Sequence, residues 1–206
     1  MNLAPVADVS TSSNDYIYAR SYGKGAEETA EYVGSVVQTM NNSGILSTLK
    51  HFPGYGNNVD THTGIAIDER SYETFETSDF LPFESGISSG APIILVSHNI
   101  VKCMDEQNPA SLSENVHNIL RDELGFTGLI ITDDLSMDAV KEYADNGRAA
   151  VQAVKAGNDM IISSDFVKQK QEVVSAVESG EISEEIIDTA VKRILACKMT
   201  YKIIEF

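Results

Sequence analysis

Short apolar runs rich in valine and isoleucine recur along the chain, each followed by a polar or glycine-bearing loop and then by apolar positions at helical spacing. Five runs read as strands: residues 3–9, 45–50, 92–97, 128–132 and 159–163. A one-sided stripe of Ala26, Ala30, Val33, Val37 and Met40 predicts the first helix. "SLSENVHNILRDELG" predicts another, opened by a capping-box-like Ser111 and Glu114 and stopped by Gly125. "GRAAVQAVKAG" and "KQKQEVVSAVESG" read as two more. In "SEEIIDTAVKRILACKMTYKII" Ile186, Ile187, Ala190, Val191, Ile194 and Leu195 share a face, with acids at the start and Lys192, Arg193 and Lys198 later, as the helix dipole favours.

Near-continuously apolar strands alternating with helices indicate a parallel sheet covered on its faces, either a (β/α) barrel or a doubly wound sheet. Periodicity does not choose between them. No internal repeat or low-complexity linker divides the 206 residues, so one domain is expected. The opening "NLAPVADV" reads as a buried strand with no lead-in, as though cut from something longer.

Each run ends in polar and ionisable residues: Asp8; Lys50, His51 and a glycine-rich loop to His62; His98 and Asn99; Asp133 and Asp134; Ser164 and Asp165. In a parallel (β/α) arrangement the C-terminal strand ends share one face, where barrels and open sheets place their sites. Taken singly, Lys50 and His51 also fit a strand end meeting water, His98 a satisfied core histidine, and Asp133 an N-cap for a helix near Ser136. Asp68, Glu69 and Arg70 read as a solvated turn. "GYGNN" lacks the spacing of a phosphate loop. Asp60, His62, His51 and His98 are metal-capable types, yet no HxH or HExxH pattern accompanies them.

A formal net charge of −16 disfavours nucleic acid and anionic membrane as partners and suits an uncharged substrate. No apolar run approaches the ~20 residues that span a bilayer, and the first ten residues lack the layout of a signal peptide. Cys103 and Cys197 read as unpaired thiols.

"KHFPGYGNNVDTH", "VSHNIVKCMDEQNPASLS" and "GLIITDDLSMDAV", in that order, resemble glycoside hydrolase family 3, in particular its β-N-acetylglucosaminidase (β-N-acetylhexosaminidase) branch. The likeness runs from "LAPVADV" through "AGNDMII" to the last helix. Two small departures are Thr61, where the hallmark usually has serine, and a glycine loop one residue short.

The resemblance implies an α/β fold of (β/α)8 TIM-barrel type, incomplete at the N-terminus because two βα units of the family precede the 3–9 run. Residues 1–206 would then be part of a single catalytic barrel domain. It implies Asp133 as nucleophile, His62 as acid/base with Asp60 orienting it, and Arg20, Lys50, His51 and His98 as sugar-binding residues, with no metal or organic cofactor. The implied activity is retaining, exo-acting release of terminal β-linked N-acetylglucosamine from peptidoglycan fragments or chitooligosaccharides. The partner is thus a carbohydrate, and an open barrel edge would favour self-association. Two alternatives are a catalytically impaired, at most sugar-binding remnant and a β-glucosidase-like member. The Asp60-Thr61-His62 loop opposes the second, whose acid/base group comes from another domain.

Overall fold

A computed structural model describes residues 1–58, 66–137, 140, 143–144 and 147–205. Six strands are seen among these residues: β1 (Thr48–Phe52), β2 (Ile67–Asp68), β3 (Ile93–Val96), β4 (Ile100–Val101), β5 (Leu129–Asp134) and β6 (Met160–Ile162). β1, β3, β5 and β6 lie side by side in that order, all parallel, and β2 pairs with β4 in a separate two-stranded parallel piece. Successive parallel strands joined through helices make an α/β arc of (β/α)8 TIM-barrel type, with fewer strands than the eight that close a barrel.

The expected strand over 3–9 is present as an extended segment but forms only one bridge, Val6 with Lys50. Its hydrogen bonds pair Asn2 with Leu46, Ala4 with Thr48 and Ala7 with Lys50, so one extra residue is taken up between the last two pairs. Pro5 stands at that irregularity and has no N–H for the ladder. The segment still runs beside β1 and brings Asp8 to the sheet's C-terminal rim.

Alternation along β1, β3 and β5 buries both faces, which is why these runs look continuously apolar. Leu49, Phe52, Ile94, Val96 and Ile130 join one cluster with Val33, Val37 and Phe83 from the Ala26–Asn42 and Phe80–Ser88 helices. Leu46, Ile93, Leu95, Leu129 and Ile131 form the other, against Ile194, Cys197 and Tyr201. Glycine allows the close approaches on the first face. A Cβ on Gly34 would lie 2.7 Å from Ser85 Oγ, and one on Gly86 would lie 2.6 Å from a Leu49 methyl. The Ser85 hydroxyl donates to the Ala30 carbonyl at 2.7 Å and so fastens the two helices.

Helices also form at Ala149–Ala156, Phe166–Glu178 and Glu184–Thr200, as the periodicity predicts. The capping residue of Glu114–Asn118 is Ser113 rather than Ser111, because Ser111 sits in the preceding tight turn with its hydroxyl on His98. The helical stretch from Tyr72 to Ser88 has no counterpart among the expected elements: its glycine, proline and small polar residues mask the period. It widens into a π turn at Phe75–Asp79, just before Pro82, whose missing N–H a regular helix would feel.

The terminal helix is fastened at the opposite end of the sheet from the polar rim. Asp159, just before β6, is 9% exposed; its carboxylate accepts from Arg121 at 2.7 Å, Arg193 at 2.9 Å and the Ile130 amide at 2.8 Å. Removing it takes the carboxylate from two guanidinium groups, although Arg121 keeps the Phe126 and Gly128 carbonyls, so Asp159→Ala should cost about 1–3 kcal/mol in urea unfolding. A change within about 0.5 kcal/mol would show that the clamp contributes nothing to holding the helix.

Candidate active site

The C-terminal ends of the strands converge, and the side chains there are held by networks that differ in how completely they occupy each group. On the first, Asp8 is buried and accepts from the His51 amide at 3.1 Å, from His51 Nδ1 at 2.8 Å and from the Tyr55 amide at 2.8 Å. The other imidazole nitrogen, Nε2, lies 3.3 Å from Arg20 Nη2. A guanidinium only donates, so Nε2 accepts, and Nδ1 carries the proton given to Asp8. His51 is itself buried, while Arg20 reaches it from an exposed position. The Tyr55 ring stands edge-on to the imidazole at 5.1 Å.

Lys50 precedes His51 on β1 and is half-buried. Burial and then the charge of Arg20 lower its pKa, while Asp133 and Asp8 act the other way. Its ammonium therefore lies within the electrostatic reach of three other rim residues, from the first segment, the loop after it and β5.

The two aspartates ending β5 are treated differently. The Asp134 carboxylate accepts from the Ser136 amide at 2.8 Å, the Ser164 amide at 3.1 Å and the Ser164 hydroxyl. Burial opposes its ionisation, but these donors outweigh burial and hold the carboxyl below the usual range. Asp133 accepts one bond from the amide of Asp134, at 2.9 Å, through Oδ1. Among the described residues nothing bonds its Oδ2. One carboxylate is thus fully committed to the protein and the other is steadied at one oxygen, the condition a nucleophile or a ligand-binding carboxylate needs.

His98 is buried, with Nδ1 2.7 Å from Ser111 Oγ and Nε2 3.1 Å from the Asp134 carbonyl. The carbonyl only accepts, so Nε2 donates to it and Nδ1 takes the serine hydroxyl. In this arrangement the imidazole supports the backbone that carries Asp133. Asp60 and His62 lie outside the described residues.

The reading of Asp68, Glu69 and Arg70 as a solvated turn is overturned for two of the three. Glu69 is exposed, but Asp68 is 1% exposed and Arg70 joins it to Asp79, also 1% exposed, with Nη1 2.9 Å from Asp79 and Nη2 2.7 Å from Asp68. Charged residue types suggested solvent; the clue to burial was "GIAIDER", where an apolar run leads straight into the acid. No group of three or more metal-ligating side chains occurs among the described residues.

The family described as "Glycosyl hydrolase family 3 N terminal domain" matches residues 1–197. A "Beta-hexosaminidase" of Nitrosomonas eutropha is 32% identical over 180 residues, 86% of this chain and 51% of that protein. A glycoside hydrolase family 3 β-N-acetylglucosaminidase from Paenibacillus superposes with a TM-score of 0.92 at 35% identity, covering 98% of this chain and 40% of that one. A β-N-acetylhexosaminidase structure from Beutenbergia cavernae gives 0.86 at 30% identity, covering 96% and 62%. The chain spans about half the length of the curated relatives it matches.

Asp79 makes the rim's electrostatics measurable. Burial raises its pKa, Arg70 offsets part of this, and Asp8 and Asp68 add to the rise, taking it to about 6 from 3.8. The folded chain therefore holds this proton more tightly than the unfolded chain. The resulting stabilisation is full below about pH 4 and lost as pH rises through about 6, on the order of 3 kcal/mol at most. Urea unfolding should show this loss in the wild type and not in Asp79→Asn. Parallel pH profiles for the two would place the ionisation elsewhere.

Proposed function

Because the chain belongs to glycosyl hydrolase family 3, we propose that it carries the catalytic machinery of a retaining exo-β-N-acetylglucosaminidase. The observation that carries the reading is the unequal pair at the end of β5: Asp134 locked by three donors, Asp133 with one oxygen unengaged by any described residue. The names of the relatives, hexosaminidases and N-acetylglucosaminidases, support the choice of sugar. The proposed substrate is a terminal β-linked N-acetylglucosamine, in peptidoglycan fragments or chitooligosaccharides.

In this reading an oxygen of Asp133 attacks the anomeric carbon, and the bond to the leaving oxygen breaks as His62 gives that oxygen its proton. His62 then takes a proton from water, whose oxygen attacks the same carbon and releases Asp133, restoring the starting configuration. Asp60, two residues before His62, orients the imidazole and raises its basicity. Arg20 and Lys50 hold sugar hydroxyls, with His51 fixed by Asp8 and bracing Arg20; His98, expected as a sugar-binding residue, has its ring nitrogens on Ser111 and the Asp134 carbonyl and in this reading supports the β5 end instead.

Asp133→Ala should lower turnover of aryl N-acetylglucosaminides by orders of magnitude. Residual activity above about a tenth would remove it from the nucleophile's role. His62→Ala should slow glycosylation far more for a poor leaving group than for a nitrophenol, within the ~10²–10⁴ range of general acid catalysis. Equal slowing would argue against proton donation.

The 206 residues are proposed to be part of a larger catalytic barrel. The described arc has two open sides, with Leu3 37% exposed beyond β1, and Met160 37%, Phe166 66% and Val167 68% exposed at and after β6. Together they suit an association surface of several hundred square ångströms. The isolated chain should therefore self-associate in sedimentation experiments as concentration rises. A monomer at every concentration would count against the exposed edges as a contact surface.

A further inference from the structure

The turn at residues 53–56 is gripped from both sides. On one side Asp8 holds the Tyr55 amide. On the other, the Arg70 guanidinium lies against it: Nε bonds both Asp68 oxygens at 3.0 Å, Nη1 bonds Asp79, and Nη2 bonds Asp68 and reaches the Gly54 carbonyl at 3.4 Å. The guanidinium also sits 4.4 Å over the Phe75 ring. A Cβ on Gly56 would fall 2.5 Å from Arg70 Cζ, and one on Gly54 would fall 2.4 Å from Asp79 Oδ1. Both glycines have positive φ, +52° and +129°, so neither position suits a side chain in backbone or in space.

The same cluster joins Asn58 to Asp68. Asn58 Nδ2, on one flank, donates to Asp68 Oδ2 on the other at 2.7 Å, and the Asp68 carbonyl accepts the Lys102 amide at 3.0 Å, tying that flank to β4. Burying two carboxylates and a guanidinium where apolar side chains could pack costs desolvation, so the arrangement is poorly explained as a device for stability. A planar fork fixing two carboxylates in direction as well as distance is explained as a device for geometry.

We propose that Arg70 is a positioning residue for acid–base catalysis: through Asn58, Asp68, Asp79 and the 53–56 turn it fixes both flanks of the segment carrying Asp60 and His62. The inference rests on the reading of those two residues as the acid/base pair. Lysine, a point charge without the planar fork, could not fix both carboxylates in these directions and so should not replace arginine.

The test uses Arg70→Met, Arg70→Lys and, to disturb the clamp while keeping every charge, Gly56→Ala. Hydrogen exchange should quicken at residues 53–58 and 66–70 in all three, while amides of β3 and the Ala26–Asn42 helix keep their protection. On aryl N-acetylglucosaminides, Arg70→Met should lower kcat/KM for a phenyl glycoside at least about tenfold more than for a dinitrophenyl glycoside, and add little to His62→Ala in the double variant. Exchange unchanged at the two flanks, or quickened throughout the sheet, would overturn the clamp. Equal losses on both substrates, or full additivity with His62→Ala, would overturn the positioning role. If His62→Ala itself fails to discriminate leaving groups while the flanks still loosen, the acid/base reading fails and the clamp stands as structure.

Discussion

A four-residue turn held between two charged networks is the constraint on which the rim depends. Asp8 grips the Tyr55 amide and the whole edge of His51 from the sheet side, while Arg70 with Asp79 closes on the flanking glycines from the other. Arg70 and Asp79 could not close on the turn in this way if it carried side chains at 54 or 56. The turn in turn sets where β1 ends, and β1 presents Lys50 and His51 to the carboxylates opposite. Local backbone chemistry, two positive-φ glycines, thus propagates into the placement of four ionisable groups from three parts of the chain.

Most of the scaffold was legible because parallel strands buried on both faces leave a strong trace. The runs at 45–50, 92–97, 128–132 and 159–163 all mark strands, and the helices after the last three follow their apolar period, with glycines past their ends such as Gly157, at φ +111°. Where the pattern misled, tertiary contacts outweighed it. Pro5 broke the ladder of an otherwise strand-like segment. The Tyr72 to Ser88 helical stretch hid behind Pro82 and Gly86, the latter required by its packing against Leu49. β2 and β4 are two residues each, too short for any period to register.

The rim residues were legible as a set, since five polar strand ends in one register are hard to obtain by accident in a parallel fold. Their partners were not. That Asp134 is saturated by Ser136 and Ser164, some thirty positions away for the latter, depends on β6 lying beside β5. Asp68 and Arg70 looked solvated because charge is usually outside; Asp79, which completes the cluster, lies on the helical stretch whose period is masked.

Charge distribution links the site to the scale of the whole molecule. With a net charge of −16, a rim containing Asp8, Asp68, Asp79 and Asp133 would repel any anion. Arg20, Lys50 and Arg70 are the cations set among them, and each answers a different group. Arg20 meets His51, Arg70 joins two carboxylates, and Lys50 stands in the field around Asp133. Lys50 has a depressed pKa because its charge is half-buried beside another cation. A group in that position gains most from a polar, neutral ligand that hydrogen-bonds an ammonium without bringing a charge of its own. The electrostatics of the rim therefore favour the same class of ligand, a hydroxyl-bearing sugar, that the proposed function assigns to the strand-end carboxylates.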